Sequence, residues 1–424
     1  MNVLLIQSYL GGSEPPVFPL GLACVKAQIP NHDVRGFDTN TSKRPLEELK
    51  EVVEDFSPDA IGISVRNIDS TNKREVVFYY SYLKKAIDVI KGSSNAKIIV
   101  GGSGFSMFAR EIMEDEPRID YGVFLEGERT VPALLDNISA PEGVKGIFYR
   151  KDGDVLFSGA GEPVDLNSVG LPDRGLIPVG NYKDVPESIG IETKRGCALK
   201  CVYCIYGFLN GKEYRLREPK RIVDDIEHLL KYKGIETFTF VDSVFNIPLR
   251  HAEDICNETI RRGLNVKWSA WFSENGLRKE FVELAKAAGC KKVILSPDGY
   301  SDKVLKALKK NITKKDILKS YEVLKSIDGY EVCYNFFKNP PGQSLTAFLS
   351  MLFFCVKAKM QMGKRVHFEF NSLRIEPHTA LYDIAVSEGV IRSGDDVLHP
   401  VYYTQKMTAY IEKLFNLTLR LTRK

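Results

Sequence analysis

The sequence predicts two α/β domains in tandem: a doubly wound, Rossmann-like first domain and a (β/α)6 partial barrel, followed by a short helical C-terminal segment. Three observations carry this. The chain has 424 residues, enough for two or three domains at roughly 100–200 residues each. Short β-rich runs alternate with amphipathic helical patterns in two series, separated by a Pro/Gly-rich passage. The composition, 44% apolar and 27% charged, is that of a folded chain without low-complexity regions. A net charge of +4 supplies no long-range field for nucleic acid, so no nucleic-acid partner is expected.

In the first series NVLLIQ, HDVRGFD, DAIGISV, AKIIVGG and YGVFLEG read as strands, with LEELKEVVEDF and YYSYLKKAIDVIKG as helices between them. Strands separated by helices pair in parallel, and ligands of such sheets bind at the strands' carboxyl ends. This domain spans residues 1–137. Next, GIFYRKDGDVLFSG reads as a hairpin around a Lys-Asp-Gly turn, which with LPDRGLIPVG makes a hairpin and linker over 138–187. The second series, SIGIET, FTFVD, VKWSAWF, KVILS, EVCYNFF and HFEFNSLRI, builds the barrel over 188–390. Its helices lie near 219–233, 249–263, 277–288, 314–327, 344–362 and 380–388. Residues 391–424 form the C-terminal extension, where Tyr403, Met407, Tyr410, Ile411, Leu414 and Leu417 recur at near-helical spacing.

The start, MNVLLIQSYLGG, lacks a basic n-region and is broken at Gln7, so it reads as a strand of a cytoplasmic protein. The most apolar run, Leu345 to Val356, is shorter than the ~20 residues of a bilayer span and reads as a buried helix, leaving no transmembrane segment.

The chemistry is concentrated in KRGCALKCVYCIYG, where Cys197, Cys201 and Cys204 follow the first barrel strand as CxxxCxxC. The other Cys, at 24, 256, 290, 333 and 355, are scattered among apolar residues and read as core thiols. Structural zinc takes four protein ligands, and the nearest His, His228, falls inside an expected helix. An iron–sulfur cluster with one open iron fits three soft thiolates better.

This motif, with Tyr203 before the last Cys, resembles that of the radical S-adenosylmethionine enzymes. The resemblance implies a 4Fe-4S cluster on Cys197, Cys201 and Cys204 whose open iron chelates S-adenosylmethionine. Reductive cleavage would then yield methionine and a 5′-deoxyadenosyl radical. It further implies S-adenosylmethionine contacts from Tyr203, Tyr206 and Gly207 around the loop, and from Asp242, Ser243 and Asn246 in FVDSVFN, where helix capping is the competing reading. Ser273 and Glu274 after the third strand, and Ser296 and Asp298 in ILSPDG, stand where ribose ligands would be. Relatives more often carry Gly-Ile-Glu-Ser at that fourth strand. Ile375 and Pro377 belong to the sixth-strand segment RIEPHTALYD, in which His378 replaces a family Gly. His378 either lines a substrate cavity or caps the loop. Trp268, Trp271, Tyr334 and Phe336 either shape a substrate pocket or fill the core.

The first domain resembles the cobalamin-binding domain of the cobalamin-dependent radical S-adenosylmethionine class. The resemblance rests on PPVFPLGLACV, with Leu20 and Gly21; on ISVRN, with Ser64, Val65, Arg66 and Asn67; on GGSGF, with Gly101, Gly102, Ser103, Gly104 and Phe105; and on LEGERT, with Glu126, Gly127 and Glu128. The glycines would let the backbone approach the corrinoid tail, with Ser64 and Ser103 offering hydroxyls. Where many corrinoid proteins carry Asp-x-His-x-x-Gly after the first strand, this chain has Gln7, Tyr9, Gly11 and Gly12. Cobalamin is therefore expected base-off, with no His ligand. Arg66 would lie under its lower face or pair with Asp69 or Asp38; a guanidinium cannot coordinate cobalt.

The combination implies a C-methyltransferase acting on an unactivated carbon through the deoxyadenosyl radical and methylcobalamin. The alternative is an oxidative cyclase or rearrangement enzyme of the same architecture. Expected partners are a small-molecule substrate such as a lipid or tetrapyrrole, and an electron donor such as ferredoxin or flavodoxin.

Overall fold

The computed structural model describes residues 1–413 and 415; Leu414 and Leu417 of the C-terminal stripe lie outside them. Two compact units divide between Gly190 and Ile191. In the first, β1 (Asn2–Gln7), β2 (Asp33–Asp38), β3 (Ala60–Ser64), β4 (Lys97–Gly101) and β5 (Tyr121–Val123) run parallel in the order β2-β1-β3-β4-β5. The central strands are continuous apolar runs, with Leu4, Ile6, Ile61, Ile98 and Val100 fully buried, as strands covered on both faces require. Edge strand β2 instead mixes exposed and half-buried positions. The hairpin β6 (Ile147–Lys151) and β7 (Asp154–Phe157) adds antiparallel to β5, so this stretch is the far edge of the first sheet as well as a connection. Strand order reverses between β1 and β3, and their carboxyl ends frame the crevice of a doubly wound sheet.

In the second unit β8 (Gly190–Ile191) precedes a small antiparallel pair, β9 (Lys194–Arg195) and β10 (Arg215–Leu216), which brackets the cysteine loop. A six-stranded sheet then runs in sequential order from β8 through β11 (Thr237–Phe240), β12 (Lys267–Phe272), β13 (Cys290–Asp298), β14 (Glu331–Phe337) and β15 (Val366–Asn371). The pairings from β11 to β15 are parallel, and among the described residues the two end strands do not pair. This is the open (β/α)6 partial barrel, with helices at Pro219–Lys233, Leu249–Arg261, Lys279–Ala287, Lys314–Ser326, Leu345–Met362 and Ala380–Ser387.

Trp268 and Phe336 are core residues: Trp268 packs among Phe240, Phe245 and Phe272 and donates its indole N–H to Ala288 O at 2.9 Å. Cys24, Cys256, Cys290, Cys333 and Cys355 are buried thiols.

Two expectations need correction. The C-terminal extension is not purely helical, because β17 (Tyr402–Tyr403) pairs antiparallel with β16 (Leu373–Arg374) before a helical turn at Lys406–Thr408. The apolar helix Leu345–Met362 buries Phe348, Met351, Phe354 and Ala358 but leaves Leu345, Leu349, Phe353, Val356 and Met360 exposed. It is buried on one face only. By length and composition it is also the one described helix that is long and apolar enough to cross a membrane.

Candidate active site

The cysteine loop is fixed mainly by its backbone. Gly196 sits at φ +90°, and a Cβ there would lie 1.8 Å from Glu213 O, so only glycine can precede Cys197. Cys197 N–H donates to Gly211 O at 3.0 Å. Val202, between two of the thiols, donates to Leu308 O at 3.1 Å and accepts from Leu381 N at 2.7 Å. Its side chain packs with Val304 and Leu308, against Tyr203, Phe337 and Ile384. Burial pushes the Cys204 thiol up to about 12, with Cys201 and Cys197 adding to the rise. Such thiols need a cation to become thiolates. Among the described residues no three His, Cys, Asp or Glu side chains close on a single ion.

Beside the loop lies a buried charged group. Tyr203 OH donates to Asp298 at the end of β13. Lys310 Nζ donates to Asp298 Oδ2 and to Ser296 O, both at 2.7 Å. Burial opposes the Lys310 charge, but Asp298, Cys201 and Glu274 outweigh it and hold the ammonium protonated. Ser296 Oγ accepts from Asn335 Nδ2 at 3.1 Å. Glu274 is buried with one carboxyl oxygen unpartnered, and burial pushes its carboxyl up to about 7. Tyr334 OH is likewise buried without a partner. The orphaned Glu274 oxygen beside the Lys310–Asp298 group fits a polar ligand, since burying it unpaired costs ~1–3 kcal/mol. Tyr334 is a core residue, packed between β14 and the helix Leu345–Met362 on Phe354.

The structure gives several expected ligand residues other work. Asp242 accepts from Thr193 N (2.9 Å), Thr193 Oγ1, Lys194 N (3.2 Å) and Lys194 Nζ (3.1 Å). Both members of the Lys194–Asp242 pair are 1% exposed. The carboxylate therefore holds the chain entering the cysteine loop. Asn246 binds Ser273 through its N–H (2.8 Å) and carbonyl (2.9 Å), joining the loops after β11 and β12. Ser243 is half-buried at the same loop. Ile375 is fully buried just past β16 and donates to Val401 O at 2.8 Å, shortly before Pro377 in the same segment. His378, at φ +59°, stacks on Phe208 at 4.0 Å. Phe208 lies in the helix Tyr206–Leu209 just after Cys204, which opens with exposed Tyr206 and then Gly207. Thr193, Lys194, Phe208 and Lys310 were not singled out by sequence reasoning. Lys310 is one of a run with Lys306, Lys309, Lys314 and Lys315, and only its burial distinguishes it.

In the first unit the crevice at the carboxyl ends of β1 and β3 carries Tyr9, Ser64, Arg66 and Asn67. Gly11 and Gly12 adopt positive φ, and Tyr9 packs edge-on to Tyr82 at 5.1 Å. The glycines after β4 differ from expectation. A Cβ on Gly102 would lie 2.6 Å, and on Gly104 3.0 Å, from Val65 O, and Gly104 N–H donates to that oxygen at 2.9 Å. Gly101 is similarly close to Val123, at 3.3 Å. Their missing side chains make room for the chain itself. Phe105 and Val65 are buried in the core. Ser103 Oγ donates to Arg66 O at 2.7 Å. Arg66 pairs with Glu14 at 2.7 Å, rather than with Asp69 or Asp38. Glu126 is spent on Val164 N at 2.7 Å, Gly127 packs near Val25, and Glu128 is buried. Leu20 and exposed Gly21 open the helix Leu20–Lys26. His32, the one imidazole of this unit, precedes β2 at the opposite ends of the strands. No imidazole of this unit therefore stands at the crevice.

Residues 8–135 match the B12 binding domain and residues 191–355 the Radical SAM superfamily. An uncharacterised methyltransferase of Pyrococcus horikoshii is 24% identical over 91% of this chain and 82% of its own. The anaerobic magnesium-protoporphyrin IX monomethyl ester cyclase of Cereibacter sphaeroides is 27% identical over 75% of this chain, which spans only 53% of that protein. The solved radical S-adenosylmethionine methyltransferase of Kitasatospora setae, with cobalamin and a 4Fe-4S cluster bound, superposes with a TM-score of 0.79 at 24% identity, covering 92% of this chain and 79% of the other.

Proposed function

Because this chain belongs to the cobalamin-dependent radical S-adenosylmethionine enzymes, we propose that it methylates an unactivated carbon of a small molecule. The observation that carries the proposal is the union, on one chain, of an imidazole-free crevice in a B12 binding domain with a rigid three-thiol loop at the mouth of a partial barrel. When bound, the 4Fe-4S cluster with S-adenosylmethionine supplies a 5′-deoxyadenosyl radical and cobalamin supplies the methyl group.

Cys197, Cys201 and Cys204 would hold the cluster, and the Tyr203–Asp298–Lys310 group fixes their loop against β13. Asp242 and Asn246 position backbone around the S-adenosylmethionine site instead of touching the ligand. Ser243 and Glu274 have polar atoms left to meet it. With its carboxyl pushed up to about 7, Glu274 can hold or release a proton near neutral pH. In the first unit Tyr9 and Arg66 would hold a cobalamin that takes no imidazole from this unit, with Glu14 orienting the guanidinium. A ferredoxin or flavodoxin in the cytoplasm would supply electrons, and a tetrapyrrole or lipid is the substrate class. Likeness to the Cereibacter cyclase favours a second reading, cyclisation without methyl transfer.

Turnover with methyl-labelled S-adenosylmethionine, a strong reductant and a panel of tetrapyrroles and lipids distinguishes the two. Methyl transfer predicts labelled product, with S-adenosylhomocysteine accumulating in step with deoxyadenosine. Product and deoxyadenosine without S-adenosylhomocysteine over many turnovers would establish the cyclase reading.

A further inference from the structure

The helix Leu345–Met362 carries a feature that the reaction does not use. Leu345, Leu349, Phe353, Val356 and Met360 are 42, 53, 73, 58 and 81% exposed, and at about 100° per residue they fall within an arc of roughly 80°. The crest they form is about 22 Å long at ~1.5 Å per residue. Lys357 and Lys359 flank it on opposite sides, and Lys364 and Arg365 follow; from 345 to 365 there is no acidic residue. The adjacent helix Lys314–Ser326, laced to this one by Lys314 to Ser350 (3.2 Å) and Tyr321 to Gln361 (2.5 Å), adds exposed Lys315 and Lys319. The nearby carboxylates are engaged: Asp316 in the cap with Thr313, Glu322 on Lys325 and Asp328 on Arg365.

We propose that this face lies in the plane of an anionic lipid bilayer, with the apolar crest in the acyl boundary and the lysines on the headgroups. The helix cannot span, because Phe348, Met351, Phe354 and Ala358 on its other face are in the barrel core. An apolar crest flanked by cations is the pattern of in-plane interfacial helices, and each cation near an anionic leaflet adds to the attraction. Charge separates the bilayer from other occupants. Residues 416–424 contain Arg420, Arg423 and Lys424 with no acid, and a second copy would bring this basic face against itself.

The test is flotation of the full anaerobic chain with vesicles of phosphatidylcholine, alone or with roughly one-third phosphatidylglycerol. The expected result is at least about tenfold greater recovery with the anionic vesicles, falling as salt is raised. Phe353→Glu/Met360→Glu should lower that recovery by about tenfold with iron content and circular dichroism unchanged. Lys357→Glu/Lys364→Glu should remove the lipid selectivity. Four outcomes overturn the proposal: no recovery with either vesicle, equal recovery with both, unaltered binding by the Phe353/Met360 variant, or a wild-type dimer that this variant converts to a monomer. The first, together with binding to an acidic protein, assigns the face to that partner; the last assigns it to a second copy.

Discussion

Replacing Asp242 with Asn separates a ligand residue from a structural one. Among the described residues the carboxylate is the only acidic partner of the Lys194 ammonium, and both side chains are 1% exposed. Its other oxygen holds the backbone N–H groups of Thr193 and Lys194 at 2.9 and 3.2 Å. An amide of the same shape removes the negative charge and strands the buried cation. Breaking a buried pair from one side costs ~3–5 kcal/mol. For a unit of this size each kcal/mol moves Tm by ~2–4 °C, so the barrel transition should fall by about 6–20 °C. Calorimetry of the cofactor-free chain under anaerobic conditions reads this directly. Adding Lys194→Met on the Asp242→Asn background removes the stranded charge and should recover more than half of the loss. If Asp242→Asn instead leaves the transition within ~1 kcal/mol while the Kd for S-adenosylmethionine rises, the carboxylate faces the ligand and the structural role is wrong.

Three further outcomes follow from the same geometry. Gly196→Ala, whose Cβ would fall 1.8 Å from Glu213 O at φ +90°, should displace the cysteine loop and abolish iron binding, read by iron assay after reconstitution; full cluster occupancy would show the loop to be yielding. The folded chain holds the Glu274 proton more tightly than the unfolded chain does, from about 7 down to the ordinary value of 4.5. Its contribution is therefore full below pH 4.5 and declines by about 3 kcal/mol as pH rises to 7. Denaturation of the cofactor-free chain at pH 5 and 8 should show a smaller pH dependence in Glu274→Gln, and equal dependence in the two proteins would contradict the assignment. Electron paramagnetic resonance of the cob(II)alamin form should lack nitrogen superhyperfine splitting, because Tyr9 and Arg66 occupy the crevice and His32 lies at the opposite strand ends; clear imidazole coupling would refute it.

The sheets were legible because their strands are bounded runs alternating with helical patterns, as in NVLLIQ and DAIGISV. The cysteine loop was legible because spacing alone defines it. What sequence could not resolve was direction. Asp242 after a barrel strand has the same appearance whether its carboxylate turns to a ligand or back to Lys194. Gly102 and Gly104 signal a close approach of something, and that turned out to be the backbone of Val65. The helix Leu345–Met362 is apolar on nearly every face, so no periodicity marked which side was covered. Lys310 sat among other lysines until tertiary folding buried it beside Asp298.

Methyl transfer to the bound corrinoid can be read without knowing the substrate. Anaerobic protein carrying cob(I)alamin is given S-adenosylmethionine with a deuterated methyl group, and the bound corrinoid and nucleosides are analysed by mass spectrometry. The account predicts deuterated methylcobalamin and S-adenosylhomocysteine in equal amounts. Unmethylated cobalamin with no S-adenosylhomocysteine, while the reduced protein still cleaves S-adenosylmethionine to deoxyadenosine, would contradict it.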